Sequence, residues 1–260
     1  MGFSLQGRVV LITGASDGIG RALAEQLDER ASRLILVARR KDALDELARR
    51  LRTPCRVIPC DLASASGPAE LLAAVLDERI DLLVNNAGVG LGGPFSRQEL
   101  DPLIAMVRLN VEAPLRLLHG LLPRWIERGE GAVLNIGSLA GFVGCPGQGV
   151  YGATKSFLNY WSESLVPELT GSGVQVTLLA PGSTRTGFFA RAGIDPAKLR
   201  KRYQSAEDVA RAGLRAVERG EALRIPGGTN LAMYLGLKLA PRRLVRRAAL
   251  RLLRPLLESG

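Results

Sequence analysis

The chain has 260 residues, 47% of them hydrophobic and 23% charged, and a formal net charge of +10. This length allows one large domain or two small ones with an ample core, and the longest apolar runs are too short to cross a bilayer. Cys55, Cys60 and Cys145 lack metal or redox spacing, and the single histidine, His119, cannot build a metal site, so no metal is expected and the thiols read as reduced ones in a cytoplasmic protein.

Met1 to Arg8 holds no signal-peptide apolar region, and Gln6 stands where an N-myristoylation motif wants Ser or Thr. Arg8 to Thr13 is apolar and β-branched, the pattern of a buried parallel strand. Gly14-Ala15-Ser16-Asp17-Gly18-Ile19-Gly20 follows and opens a helical pattern to about Arg30. A strand, a glycine-rich turn and a helix start make a phosphate cradle, because glycines admit a close pyrophosphate and the helix N-terminus offers free N–H groups. The spacing is G-x-x-x-G-x-G rather than the commoner G-x-G-x-x-G, and a tight turn alone leaves the same pattern.

Arg33 to Ala38 is the next strand, ended by Arg39-Arg40-Lys41. In a dinucleotide fold this strand end meets the adenosine ribose, where an acidic residue favours NAD and a basic one accepts a 2′-phosphate. Arg39 is the first candidate and Arg40 the second. One charge-assisted hydrogen bond of about 1.5–3 kcal/mol gives a roughly tenfold to hundredfold preference for NADP(H) over NAD(H); a solvated helix start is the alternative.

Asp42 to Leu51 is helical by its spacing, and Arg56 to Cys60 is a third strand ended by Asp61-Leu62. Asp61 either meets an adenine edge or caps the turn. Gly67 to Arg79 is helical, and Ile80 to Val84 is a fourth strand before Asn85-Asn86-Ala87-Gly88, a turn signal that leaves room for a ligand. Ser96 to about Arg128 is a long helical stretch with Asn110 in it. Pro114 removes the N–H that would bond the Asn110 carbonyl, which either frees that carbonyl to hold a water or simply kinks the helix.

Gly131 to Gly137 is a fifth strand with Ser138 at its end, where ligands bind in open parallel sheets. A glycine-rich loop, 139–149, leads to Tyr151-Gly-Ala-Thr-Lys155 at a helix start. Positions i and i+4 share a helix face. An ammonium about 4 Å from a phenol returns roughly the 4 kcal/mol that its ionisation costs at neutral pH. A plain helix-face pair has the same spacing. Phe157, Leu158, Trp161 and Leu165 form an apolar stripe suited to a core or a subunit interface, and the helix ends near Thr170. Val174 to Leu179 is a sixth strand, followed by Pro181-Gly182-Ser183-Thr184-Arg185-Thr186. Residues 187–204 are irregular and basic, either a lid or a solvated excursion. Ser205 caps a helix to Arg219, and Leu223 to Pro226 is a last short strand. Alternating strands and helices imply an α/β fold, a single doubly wound parallel sheet of about seven strands with helices on both faces, spanning 1–228.

Residues 229–260 form a basic helical extension. In 240–257, Leu244, Val245, Ala248, Ala249 and Leu252 make one helix face and six arginines, Arg242 to Arg254, gather on the other, interrupted by Leu250. Such a helix packs on its own domain, docks on an acidic partner or lies on an anionic membrane. Nothing resembles a nucleic-acid motif.

The ordered set Thr13-Gly14-Ala15-Ser16-Asp17-Gly18-Ile19-Gly20, Asn85-Asn86-Ala87-Gly88, Asn110, Ser138, Tyr151…Lys155 and Pro181-Gly182…Thr186 resembles the short-chain dehydrogenase/reductase family over about residues 5–226. It looks most like the NADP(H)-preferring, broad-specificity bacterial members. The resemblance implies a cytoplasmic homodimer or homotetramer, possessing a Rossmann-like fold, that transfers hydride between NADP(H) and a ketone, an aldehyde or a 3-oxoacyl thioester. Tyr151 would be the general acid, Lys155 would lower its pKa and bind the nicotinamide ribose, Ser138 would hold the carbonyl oxygen and Asn110 a relay water. Gly14, Ser16, Asp17, Gly18, Ile19, Gly20, Arg39 and Arg40 would hold the phosphate end of the cofactor, Asp61 and Leu62 the adenine, and Asn86, Ala87 and Gly88 the adenosine side. Pro181, Gly182, Thr184 and Thr186 would orient the nicotinamide. Asp17 departs from the pattern, since many NADP(H) relatives are basic there. A non-enzymatic NADP(H)-binding or membrane-surface scaffold is the reading from another class.

Overall fold

The computed structural model describes residues 2–194 and 203–258. Seven parallel strands form one sheet: β1 (Val9–Thr13), β2 (Arg33–Ala38), β3 (Cys55–Pro59), β4 (Leu82–Asn85), β5 (Gly131–Ile136), β6 (Val174–Leu179) and β9 (Leu223–Arg224). Their order is β3-β2-β1-β4-β5-β6-β9. The chain winds outward from β1 to β3, then returns to place β4 on the other side of β1, so a crevice opens between the ends of β1 and β4. Two short strands outside the expectation, β7 (Thr184–Arg185) and β8 (Gln204–Ser205), pair with each other in parallel.

Alternation along the strands builds two cores. Val10 and Ile12 of β1, with Leu34 and Leu36 of β2, point to one face, where helices α1 (Gly18–Leu27), α2 (Lys41–Arg50) and α8 (Ala206–Arg219) cover them. Leu11, Ile35 and Val37 point to the other, beneath α3 (Gly67–Ala74), α5 (Ala113–Arg128) and α6 (Gly149–Glu168). Within the predicted stripe of α6, Leu158 and Leu165 are buried, while Phe157 and Trp161 are half-buried and stack at 5.8 Å.

Several boundaries differ from expectation. The third helix stops at Ala74 instead of Arg79, where Glu78 is held in a turn by Arg33 and Arg56. The long stretch after residue 96 is not one helix: Gln98 and Glu99 are extended, α4 covers Leu100–Val107, and Arg108–Glu112 is a π segment in which the Ala113 N–H reaches back to the Arg108 carbonyl. Pro114 removes the next N–H, which is why the regular ladder gives way there. A short helix, α7 (Phe188–Arg191), begins the expected lid; Lys198, Arg200, Lys201 and Arg202 of that segment lie outside the described residues.

After β9 come α9 (Gly228–Leu239) and α10 (Arg242–Glu258). Asn230 ties α9 to Gln204 and the Pro226 carbonyl, and Tyr234 meets Phe142 edge-on at 4.8 Å. Leu253 and Leu256 of α10 are buried with Cys145, Phe189 and Ile194. Among the described residues no helix is long and apolar enough to cross a membrane.

Candidate active site

The turns after β1, β2, β3, β4, β5 and β6 all reach one cavity of about 1130 Å³. At one end stand Arg39 and Arg40. The middle is walled by Gly14, Ser16, Asp17, Gly18, Ile19, Asp61, Leu62, Asn86, Ala87 and Gly88. The other end holds Ser138, Tyr151, Lys155, Pro181, Gly182, Thr184 and Thr186. The sequence therefore names one continuous wall, although its members come from six strand ends. Two predicted residues stand behind that wall. Gly20 is buried where a Cβ would come within 2.4 Å of the Gly14 carbonyl oxygen, so only glycine lets α1 sit this close to the turn. Asn110 is buried too, giving and taking hydrogen bonds with the Val89 backbone (2.9 and 3.0 Å) and donating to Thr154 Oγ1 at 3.0 Å.

At the arginine end, Arg40 donates to Ser16 Oγ and to the Ser16 carbonyl, both at 3.3 Å, which draws the strand end and the glycine turn together. Asp17 takes up the α1 N-terminus itself. One carboxylate oxygen accepts from the Gly18 N–H at 2.7 Å, and the other from Arg191 at 2.6 Å. Burial works to raise this carboxyl's pKa, but Arg191 and the Gly18 N–H outweigh it and hold it below the usual carboxylate range. The anionic place that a phosphate would use is thus partly filled by the chain's own carboxylate.

At the reaction end, Lys155 donates to the Ile136 carbonyl at 2.8 Å. Burial lowers its pKa to about 8. Burial raises the Tyr151 phenol to about 12, against a smaller downward pull from its hydrogen bond with Ser138. Lysine is not among the causes of the tyrosine's shift. The pair shares a helix face as the spacing requires, yet the ammonium is engaged by a strand carbonyl, so the expected depression of the phenol is not present in this arrangement. Gly88 lies beside both polar groups: a Cβ there would stand 3.2 Å from Asn110 Oδ1 and 3.5 Å from Lys155 Nζ. A separate void of about 10 Å³ touches Thr13, Asn85 and Asn110. Asn85 Oδ1, which is buried, has no hydrogen-bond partner, so the void has room and need for about one water.

Sequence reasoning missed Asn159. It is fully buried, its Nδ2 donates to the Ser138 carbonyl at 2.9 Å, and its Oδ1 accepts from the Ser138 N–H at 3.4 Å. It stands four residues after Lys155, on the same helix face, and that spacing could have found it. The tail is the other omission. The apolar face of Leu244, Val245, Ala248, Ala249 and Leu252 is not outside the site; all five line the cavity, with Met233 and Leu237 from α9.

The site fits a dinucleotide. Its donors run from two guanidiniums past a glycine turn to an ammonium, and its volume exceeds the 300–1,000 Å³ typical of a small-ligand pocket. Tyr151 can give or take a proton, and Ser138 stands beside it to hold an oxygen.

A family model described as short chain dehydrogenase matches residues 8–196. Sulfoacetaldehyde reductase 2 of Chromohalobacter salexigens is 39% identical over 217 residues, 78% of this chain and 85% of that protein. A short-chain dehydrogenase from Sphingobium yanoikuyae in complex with NADPH superposes with a TM-score of 0.83 at 37% identity, covering 92% of this chain and 95% of that one. A short chain dehydrogenase/reductase from Burkholderia phymatum in complex with NAD has a TM-score of 0.80 at 26% identity, covering 90% and 93%.

Proposed function

The chain belongs to the short-chain dehydrogenase/reductase family and is an NAD(P)-dependent oxidoreductase, and we propose that it is an NADP(H)-preferring reductase of ketones, aldehydes or 3-oxoacyl thioesters. What carries the reading is the single cavity that joins Arg39 and Arg40 to Ser138, Tyr151 and Lys155. The nicotinamide, when bound, supplies the hydride that reaches the carbonyl carbon. Ser138 donates a hydrogen bond to the carbonyl oxygen and holds it against Tyr151. Tyr151 hands its phenolic proton to that oxygen as negative charge develops there. A phenol with a pKa near 12 is a weak acid, so its competence requires that the Lys155 ammonium, held by the Ile136 carbonyl in this arrangement, turn toward the phenol once the cofactor is bound. The Asn110 carbonyl, freed by Pro114, holds a water that returns the proton. Arg39 and Arg40 meet the 2′-phosphate, and Gly14, Ser16, Gly18 and Ile19 bring backbone to the pyrophosphate. Asp17 is reassigned from phosphate contact to an N-terminal cap paired with Arg191.

The test is a screen of NADPH and NADH oxidation over soluble ketones, aldehydes and 3-oxoacyl thioesters. Turnover of at least one carbonyl class, with a lower KM for NADPH than for NADH, is expected. NADPH binding without oxidation across the whole panel contradicts it.

A further inference from the structure

The C-terminal helices do two things at once. Their inner faces wall the substrate end of the cavity, where Met233, Leu237, Val245 and Leu253 stand with Val143 and Phe189. Among the described residues Lys155 and Arg191 are the charged side chains at this end, and the lining that α9 and α10 add to it is apolar, which suits a sizeable apolar carbonyl compound. Their outer surfaces carry apolar residues that the described residues leave exposed. Leu231, Leu235 and Leu239 share one face of α9 and are exposed. None of the side chains of α9 is fully buried. On α10, Leu244 and Leu252 line the cavity and are nevertheless 56% and 65% exposed, so the cavity opens to the surface between them.

The charge is equally one-sided. Residues 229–260 hold seven of the 35 lysines and arginines and one of the 25 acidic residues, which places +6 of the net +10 in this extension. On the body of the domain many arginines are paired, as Arg8 is with Glu130 and Arg56 with Glu78. Among the described residues Arg242, Arg243, Arg246, Arg247 and Arg251 form no ion pair.

Exposed leucines interleaved with unneutralised arginines match a surface that is both apolar and anionic. A second copy of the chain does not match it, since a two-fold interface would set like charges against one another. We infer that α9 and α10 seat the protein on an anionic lipid bilayer, with the cavity mouth at Leu244 and Leu252 facing the acyl region. An apolar carbonyl substrate then enters from the lipid. The leucines sink to the acyl boundary while the arginine stems lie along it with their heads among the lipid phosphates. This rests on the reductase reading for what happens to the substrate, but the docking itself does not.

Co-sedimentation of the full chain with vesicles of phosphatidylcholine, alone or mixed with phosphatidylglycerol, tests it. Binding is expected to the anionic vesicles and to fall as salt rises. Arg243→Glu/Arg247→Glu should weaken it at least about tenfold, at about 1 kcal/mol per cation near an anionic surface. That variant should reduce a water-soluble ketone in vesicle-free buffer as the native chain does, and be slower only on a long-chain ketone dissolved in anionic vesicles. Equal pelleting with neutral and anionic vesicles, no pelleting, or a double variant that pellets like the native chain overturns the inference. So does a self-association in vesicle-free buffer that Leu235→Gln abolishes. Vesicle binding by a chain that reduces nothing would leave the docking standing and remove the reductase reading instead.

Discussion

At the scale of residues, the chemistry of the site turns on how Lys155 keeps its charge. Burial brings its pKa to about 8, so it is an ammonium below that pH and loses the proton as pH rises through it. Only the ammonium can help Tyr151 to donate. The kcat/KM for carbonyl reduction should therefore fall as pH rises past about 8, read from a pH–rate profile at saturating cofactor; a flat profile through that range contradicts the role. Asn159 makes a different prediction. Its amide brackets both backbone groups of Ser138, so Asn159→Leu leaves them unmet and costs about 1–3 kcal/mol for each buried group orphaned. Because the residue positions Ser138 without touching substrate, kcat should fall while the KM for NADPH stays near native. The Tyr151–Lys155 pair was legible because i and i+4 face the same way whatever the rest of the chain does. That Lys155 donates to the Ile136 carbonyl was not, since it depends on where a strand distant in sequence ends.

Elements explain why so much else could be read early. Apolar β-branched runs at β1, β2 and β6 can hardly be anything but strands buried on both faces, and parallel order puts all their useful ends on one edge. Short helices and breaks were harder. The π segment around Asn110 needs Pro114 and a carbonyl register that periodicity does not show, and β7 with β8 are two residues each and exist only by pairing with each other. Cofactor choice belongs to this scale, because it depends on which strand end meets the ribose. Arg39→Asp/Arg40→Asp should raise the KM for NADPH by roughly tenfold to hundredfold relative to NADH, about 1.5–3 kcal/mol for a lost charge-assisted bond. An unchanged ratio removes these arginines from the account. Asp17 and Arg191 join the glycine turn to α7 at 2.6 Å; the sequence placed Asp17 among the phosphate contacts because a turn motif does not show which of its side chains another element will claim.

For the whole molecule, the extension is what periodicity left open, since the helix wheel allowed packing on its own domain, on an acidic partner or on a membrane. The face of Leu244, Val245, Ala248, Ala249 and Leu252 was visible on a helix wheel, but a wheel does not say what the face meets. It meets the cavity. The cavity is therefore shaped jointly by the doubly wound domain and by α9 and α10. Val245→Trp should narrow the cavity and lower kcat/KM for bulky ketones at least about tenfold, in the range a single mis-sized hydrophobic contact commands. Small ketones should lose much less. Equal losses for both would mean that α10 does not shape the pocket.

The central claim is that the protein reduces a carbonyl with Tyr151 as the proton donor. Its most direct test follows loss of NADPH absorbance with any carbonyl the native chain accepts, alongside NADPH binding by fluorescence. Tyr151→Phe should bind NADPH within a few-fold of native and lose turnover by about 10²–10⁴-fold, the worth of one general acid. A Phe variant that binds NADPH and turns over at the native rate contradicts the account.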